Sequence, residues 1–339
     1  MIAIHHNPVG FEQKWVNYCK KNKIPFKVVS CYDNDIIDQL EDCDALMWHF
    51  HQSNPKDALI AKKVIYALQT AGKKVFPDFN TCWHFDDKLG QKYLLESIDA
   101  PLASSYVFFE KQDALKWISE TEFPKVFKLR SGAGSAHVKL VTTKAQAQKL
   151  VNKAFGRGFS QYEKLGNLQE RWYKYRHGKT NLWGLLKGVL RLGKTTEFAR
   201  IAGPERGYIY FQDFIPGNQY DIRVTYVCGR CFAVRRKVRN NDFRASGSGN
   251  IDYDLDQIPS NVIATAFDIA NKLKLQTAAF DFLVDNNAPV LIELSYCFGH
   301  DGIPLKMGYW DSDLIFHKEE FNPYGWMVQN LIEESEYIY

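Results

Sequence analysis

The segment AAFDFLVDNNAPVLIELSYCFG, residues Ala278–Gly299, holds two strand-like runs on either side of a turn. The first ends in Asp281-Phe282-Leu283-Val284, the second spans Val290-Leu291-Ile292-Glu293-Leu294, and Asp285-Asn286-Asn287-Ala288-Pro289 turns between them. Asparagine and aspartate tolerate turn backbone, so apolar runs flanking such a segment read as a β-hairpin. Each run carries one carboxylate among apolar neighbours, Asp281 and Glu293. An inward-facing carboxylate is costly to bury unless a cation or strong donor meets it. Two of them on adjacent strands suit Mg²⁺, which takes one or two carboxylates together with phosphate oxygens. The same pattern also describes two acids on the wet face of a half-exposed hairpin. The hairpin alone leaves both readings open.

The rest of the chain narrows the choice. Its 339 residues give room for two or three domains with their own cores, and 45% apolar and 24% charged residues are ordinary globular values. A net charge of +4 does not demand nucleic acid, and anionic ligands such as nucleotides fit it. No apolar run approaches the ~20 residues of a membrane span. Met1-Ile2-Ala3-Ile4-His5-His6 lacks the basic and apolar regions of a signal peptide and reads as a first strand, which gives a cytoplasmic expectation. Seven cysteines, an odd number scattered through the chain, fit a reducing compartment better than a disulfide framework. Cys228-Gly229-Arg230-Cys231 has no second pair and reads as a hairpin turn rather than a zinc or redox motif.

Strands and helices alternate over the first eighty residues: Ile2–His5, a helix Phe11–Lys21, Phe26–Ser30, Ala45–Phe50, a helix Ala58–Ala71 ended by Gly72, and Lys74–Pro77. That alternation predicts a doubly wound parallel sheet, without a GxGxxG after the first strand. His49 and His51 fall at the end of its third strand, where open α/β sheets place ligands, although structural histidines explain them equally well. A helix is expected over Thr81–Ile98. Val126–Leu129 and His137–Val141 read as strands joined by a Gly/Ser loop, Ser131-Gly132-Ala133-Gly134-Ser135-Ala136, a mobile hairpin whose backbone N–H groups can cover phosphates. Residues 149–200 hold twelve Lys and Arg against three acids, with Trp172, Tyr173, Tyr175 and Trp183 among them: a solvated insertion, or a docking surface for an anionic or carbohydrate acceptor. An antiparallel core follows, with strands at Asp221–Cys228 and Cys231–Val238, a helix at Ser260–Leu273, and the hairpin. In it the adjacent Arg235 and Arg236 must face opposite sides of their strand.

From Asp87 to Gly299 the order of motifs resembles the ATP-grasp superfamily, in particular its RimK-like and glutathione-synthetase-like ligases. The features that carry the resemblance are Lys88 before a helix, Lys128 before the Gly-rich loop, the hinge Gln212-Asp213-Phe214-Ile215, and the triplet Asp221-Ile222-Arg223. Arg235-Arg236, the segment Asn241-Asp242-Phe243-Arg244-Ala245-Ser246, and Asp281 with Glu293 complete it. The resemblance implies an α/β (α+β) ATP-grasp fold. An N-terminal parallel-sheet domain (residues 1–87) is followed by a central subdomain (88–205) and a C-terminal subdomain (206–339) that clamp the nucleotide. It also implies ATP and Mg²⁺, or Mn²⁺, as cofactors. The hinge from Gln212 through Asp213 to Phe214 would meet adenine and Asp221 the ribose. Lys88, Lys128, Ser131, Gly132, Gly134, Ser135, Arg244 and Ser246 would lie on the phosphate side, with Asp281, Glu293 and Ser295 as metal ligands. Arg223, Arg236 and Arg244 would stabilise the acylphosphate and the tetrahedral intermediate as an amide forms.

One position departs from the family pattern: Ser295 stands where an asparagine usually provides a third ligand, which puts a second Mg²⁺ in doubt. The implied activity is an ADP-forming carboxylate–amine ligase. It would act on a small-molecule or glycan carboxylate and an amine or amino acid, with surface polysaccharide biosynthesis suggested by the aromatic tail around Tyr309-Trp310 and Phe321–Met327. A peptide or protein amino-acid ligase is the alternative within that class, and a non-catalytic ATP-binding protein the alternative outside it. No nucleic-acid partner and no membrane span are expected, and a homodimer is compatible with the family.

Overall fold

The computed structural model describes residues 1–131, 137–161, 197–239, 242–299 and 303–333. They form two compact units: Met1–Phe85, Gly90–Leu102 and Ile215–Tyr339 in the first, Asp86–Leu89 and Ala103–Phe214 in the second.

The first unit begins with the parallel sheet expected from the sequence. Its strands are β1 (Ile2–His5), β2 (Phe26–Val29), β3 (Ala45–Met47) and β4 (Lys74–Phe76), in the order β2-β1-β3-β4. β1 and β3 lie inside the sheet and are buried along their length, so Ile2-Ala3-Ile4 and Ala45-Leu46-Met47 are continuous apolar runs rather than alternating ones. The connecting helices are α1 (Glu12–Lys21), α2 (Ile36–Gln39) and α3 (Pro55–Thr70). Trp15, Val16 and Cys19 form the buried stripe of α1. Asn54 caps α3 by accepting from the Lys56 N–H at 3.0 Å, Pro55 starts the helix, and Gly72 leaves it at φ +80°.

A single helix from Thr81 to Ile98 does not form. The chain makes a short α4 (Phe79–Cys82) and a separate α5 (Lys88–Glu96). Asp78 fixes the start of α4 by accepting from Thr81 N–H at 2.8 Å, and Asp86 at φ +55° redirects the backbone before α5.

The second unit contains β5 (Ser105–Phe108), α6 (Lys111–Glu120), β6 (Lys125–Lys128), β7 (Lys139–Val141), α7 (Lys144–Ala154), α8 (Glu197–Ala202) and β8 (Ile209–Asp213). Its antiparallel sheet runs β5-β8-β6-β7, so β8, which the sequence reading assigned to the C-terminal subdomain, shares a sheet with β5 and β6. Phe127, Ile209 and Phe211 pack on Ala114, Ile118, Ala147 and Val151 of α6 and α7. The period-two alternation puts Lys128, Tyr210, Gln212 and Ser105 on the opposite face.

Back in the first unit, β9 (Tyr220–Val227), β10 (Arg230–Lys237), β11 (Ile251–Asp252), α9 (Ser260–Lys272), β12 (Thr277–Asp285), β13 (Ala288–Ser295), β14 (Tyr309–Trp310), β15 (Phe316–His317) and α10 (Pro323–Ile332) follow. The strands run β13-β12-β9-β10-β14-β15, with β11 on β10. Ile222, Val224, Phe280, Phe282, Leu291 and Leu294 bury against Val262, Ala266, Phe267 and Ala270 of α9. The register shifts between Asp281 and Phe282: Asp281 pairs with Glu293 and Phe282 with Leu291, which leaves Ile292 as a bulge residue. The Cys228-Gly229 turn between β9 and β10 has positive φ at both residues (+48° and +79°), and all seven cysteines are free thiols. Among the described residues no helix is long and apolar enough to cross a membrane.

Candidate active site

The face of the large sheet away from α9 gathers charge. Register places Asp221 opposite Arg236, Arg223 opposite Asp281, and Asp281 opposite Glu293, so these five residues project from one side of four neighbouring strands. Arg223 donates from Nε to Asp281 Oδ1 at 2.7 Å and from Nη2 to Oδ2 at 2.8 Å. Arg236 donates to Asp221 at 2.8 and 2.5 Å, and its Nη2 lies 2.8 Å from Asp281 Oδ2. The neighbouring Arg235 faces the other way, pairing with Asp252 and covering the Tyr220 ring.

Burial alone would raise the Asp281 carboxyl, but the Arg223 and Arg236 guanidiniums together hold it well below the usual carboxylate range. Asp221 moves the other way. Burial, then the adjacent negative charge of Asp281, pushes it up to about 6 against the pull of Arg236. Asp221, which the resemblance gave to the ribose, is committed to Arg236 through both carboxylate oxygens.

The donor set for a divalent cation is two carboxylates. Among the described residues no three His, Cys, Asp or Glu gather as a metal cluster. Two carboxylates directly opposite each other on neighbouring strands fit a phosphate-chelated Mg²⁺ in chemistry and placement. Asp281, however, spends both oxygens on guanidiniums and is 2% exposed, whereas Glu293 is half-buried. Ser295 accepts from the Cys297 N–H at 3.4 Å and lies 3.8 Å from its Sγ.

In the second unit Lys88 and Lys128, both 6% exposed, stand at the start of α5 and the end of β6. Lys128 Nζ donates to Gln212 Oε1 at 2.6 Å, and Gln212 Nε2 in turn donates to Ser105 Oγ at 3.2 Å. The Lys88 N–H donates to Arg130 O at 3.0 Å, a bond within the second unit that fixes Lys88 to the segment leaving β6. Asp213 accepts from Lys125 Nζ at 2.6 Å, and the chain passes to the first unit after Phe214.

A buried carboxylate that sequence reasoning missed organises this region. Glu205 accepts from the Ser131 N–H (3.3 Å), the Ser131 and Tyr208 hydroxyls, and Gln161 Nε2 (2.7 Å), while the Arg130 N–H donates to the Tyr208 hydroxyl at 2.7 Å. Burial would raise the Glu205 carboxyl, yet these bonds leave it below its ordinary value. Its only sequence signal is that it is the lone acid from Phe198 to Gln212.

Gly132, Gly134, Ser135 and Asn241, together with residues 162–196 of the basic stretch, lie outside the described residues. Arg244 donates to Asp242 at 2.6–2.9 Å, and the Ser246 carbonyl accepts from Arg239 at 3.1 Å, so both are placed in a local loop rather than on Asp281. His49 stacks on Phe11 (centroids 3.8 Å apart) and accepts its N–H at 3.2 Å, while the His51 N–H donates to Asp57 at 2.8 Å. Of the aromatic tail, Phe321, Tyr324 and Trp326 are buried in the core with Phe11 and Trp15, and Tyr309 and Trp310 stay partly exposed.

No protein-family model and no curated protein matches the sequence. Solved structures do match its fold. A RimK-domain ATP-grasp protein of Sphaerobacter thermophilus aligns over 97% of this chain and 98% of its own, at 14% identity and a TM-score of 0.57. A D-cycloserine synthetase aligns over 98% of both chains at 12% identity and 0.58. A D-alanine–D-alanine ligase from Bacillus anthracis aligns over 87% of this chain and 86% of its own at 16% identity and 0.51. At such identities the likeness is one of fold.

Proposed function

We propose, from the ATP-grasp fold that the chain adopts, that this protein is an ATP-dependent carboxylate–amine ligase. The observation that carries the reading is the polar sheet face, where Asp281 and Glu293 stand beside the guanidiniums of Arg223 and Arg236. Carboxylates beside arginines are what phosphoryl transfer to a carboxylate calls for: anionic groups for a divalent ion, and donors for the charge that develops. Glu293 and Asp281 would hold Mg²⁺, which supplies charge neutralisation at the phosphate oxygens. Lys88 and Lys128 would carry phosphate charge, and the Gln212–Phe214 backbone the base.

The chemistry follows in two steps. A substrate carboxylate oxygen attacks the γ-phosphorus, the bond to the β-phosphate oxygen breaks, and acylphosphate and ADP form. An amine then attacks the acyl carbon, phosphate leaves, and the amine gives up a proton. Arg223 and Arg236 would stabilise the oxyanion between addition and loss of phosphate. A glycan carboxylate is the acceptor class that the sequence suggests, and of the aromatic tail Tyr309 and Trp310 keep partly exposed rings, one on each side of their strand.

The test is ADP release with a panel of uronic acids and amino-acid carboxylates, with and without amines, and with hydroxylamine to trap acylphosphate as hydroxamate. Carboxylate-dependent ADP release with hydroxamate supports a ligase. Tight ATP binding without turnover on any pair supports the non-catalytic alternative.

A further inference from the structure

The two arginines on Asp281 are held very differently. Arg236 is clamped between two buried carboxylates and its side chain is 9% exposed. Arg223 has Asp281 as its only ion-pair partner among the described residues, and its side chain is 28% exposed. A buried carboxylate without compensation is strongly unfavourable, so something positive must stand at Asp281 at all times. Both of its oxygens already accept from guanidinium, and the residue has almost no exposed surface through which a hydrated cation could approach. Of its two partners only Arg223 has a way out to solvent.

We infer that Arg223 is a removable counterion: a divalent cation reaches Asp281 only by displacing the Arg223 guanidinium, while Arg236 stays in place. The exchange swaps one compensating positive group for another at the buried carboxylate, with no covalent change. The guanidinium that leaves remains on the polar sheet face, on the strand between those that carry Asp281 and Arg236. Under the ligase reading, on which this last step rests, metal loading thereby frees an arginine for the phosphoryl and acyl groups. Arg223 then serves as ion-pair partner before loading and as oxyanion donor afterwards.

Competition of this kind has a readout that needs neither ATP nor turnover. Mn²⁺ is titrated into the full chain without nucleotide, and bound metal is read from the loss of the free-ion electron paramagnetic resonance signal. Arg223→Gln should bind Mn²⁺ roughly tenfold or more tightly than the unaltered chain, because the metal no longer breaks two charge-assisted hydrogen bonds. Arg223→Gln combined with Asp281→Asn should lose that gain. Arg223→Lys, which keeps the charge without the bidentate fork, should fall between and carries the comparison if Arg223→Gln does not fold. Unchanged or weaker Mn²⁺ binding in the folded Arg223 variants overturns the exchange. Absence of carboxylate-dependent ADP release from the unaltered chain, with the Mn²⁺ pattern intact, counts instead against the ligase reading.

Discussion

Ser131 donates to Glu205 from both its backbone N–H and its hydroxyl, across a sequence separation of 74 residues. Ser131 begins the Gly/Ser segment, yet in this structure its donors are aimed at a carboxylate of the same unit. Glu205 thereby fixes the direction in which the chain leaves Lys128.

Glu205→Ala should therefore weaken nucleotide binding by about tenfold or more, as charged hydrogen bonds are worth roughly 1.5–3 kcal/mol. Glu205→Gln, which keeps one acceptor oxygen, should recover part of the loss. Calorimetric titration with ATP, beside thermal unfolding, checks it. Equal affinity in Glu205→Ala would show that the bond to Ser131 has no bearing on the nucleotide.

Arg236→Met should be severely destabilising, by about 3–5 kcal/mol, because it leaves Asp221 buried without its bidentate partner and next to the negative charge of Asp281. Adding Asp221→Asn should return much of the loss by removing the stranded charge. Urea unfolding of the single and double variants measures the coupling. Simple additivity would mean that the two side chains do not depend on each other.

The parallel sheet should weaken in mild acid. Burial, then the neighbouring His6, lowers the His5 pKa from its usual 6.5 to about 4, and its Nδ1 accepts the Cys31 N–H at 3.0 Å, a bond only the neutral ring makes. His84, fully buried, is lowered to about 3, by burial first and then by Lys62. Between those values and 6.5 the unfolded chain binds more protons than the folded one, so stability rises with pH through that window and is lost as pH falls. Urea midpoints should drop from pH 6.5 to 4, and His5→Asn, which offers an acceptor that does not titrate, should show a shallower slope. A slope identical to that of the unaltered chain would remove His5 from the account.

Gly325→Ala should destabilise the protein even though alanine is the better helix former by about 1 kcal/mol. Gly325 sits in the first turn of α10, and a Cβ there would stand 2.5 Å from Tyr18 Cε2 on α1. Pairing it with Tyr18→Ala should give back part of the loss, which thermal unfolding of the two variants reports.

Much of this is legible in the sequence because it depends on alternation. The parity of adjacent residues separates Arg235 from Arg236, whereas Asp281 and Glu293 stand opposite each other only because the bulge at Ile292 shifts the register that the Asn286-Asn287 turn sets, which alternation alone does not show. The parallel order of the first sheet follows from strand–helix alternation. What escapes is set by long-range pairing. Asp281 and Arg223 each look like a free ligand along the chain, and nothing local says that they meet. Glu205 is likewise an ordinary acid in a glycine-flanked loop until Ser131, Gln161 and Tyr208 close around it. The break between α4 and α5 turns on one left-handed residue, Asp86, whose conformation competes with a helical pattern that reads as continuous.

The bulge at Ile292 has a consequence for how the carboxylate pair could be extended. Leu291 and Leu294 both reach the core although they are three apart, so the strand presents two consecutive side chains, Ile292 and Glu293, away from it. A regular strand has no such spare position. Replacing Ile292 by asparagine should therefore set an amide oxygen next to Glu293 on that side, and tighter Mn²⁺ binding by the variant is the measurement that checks it.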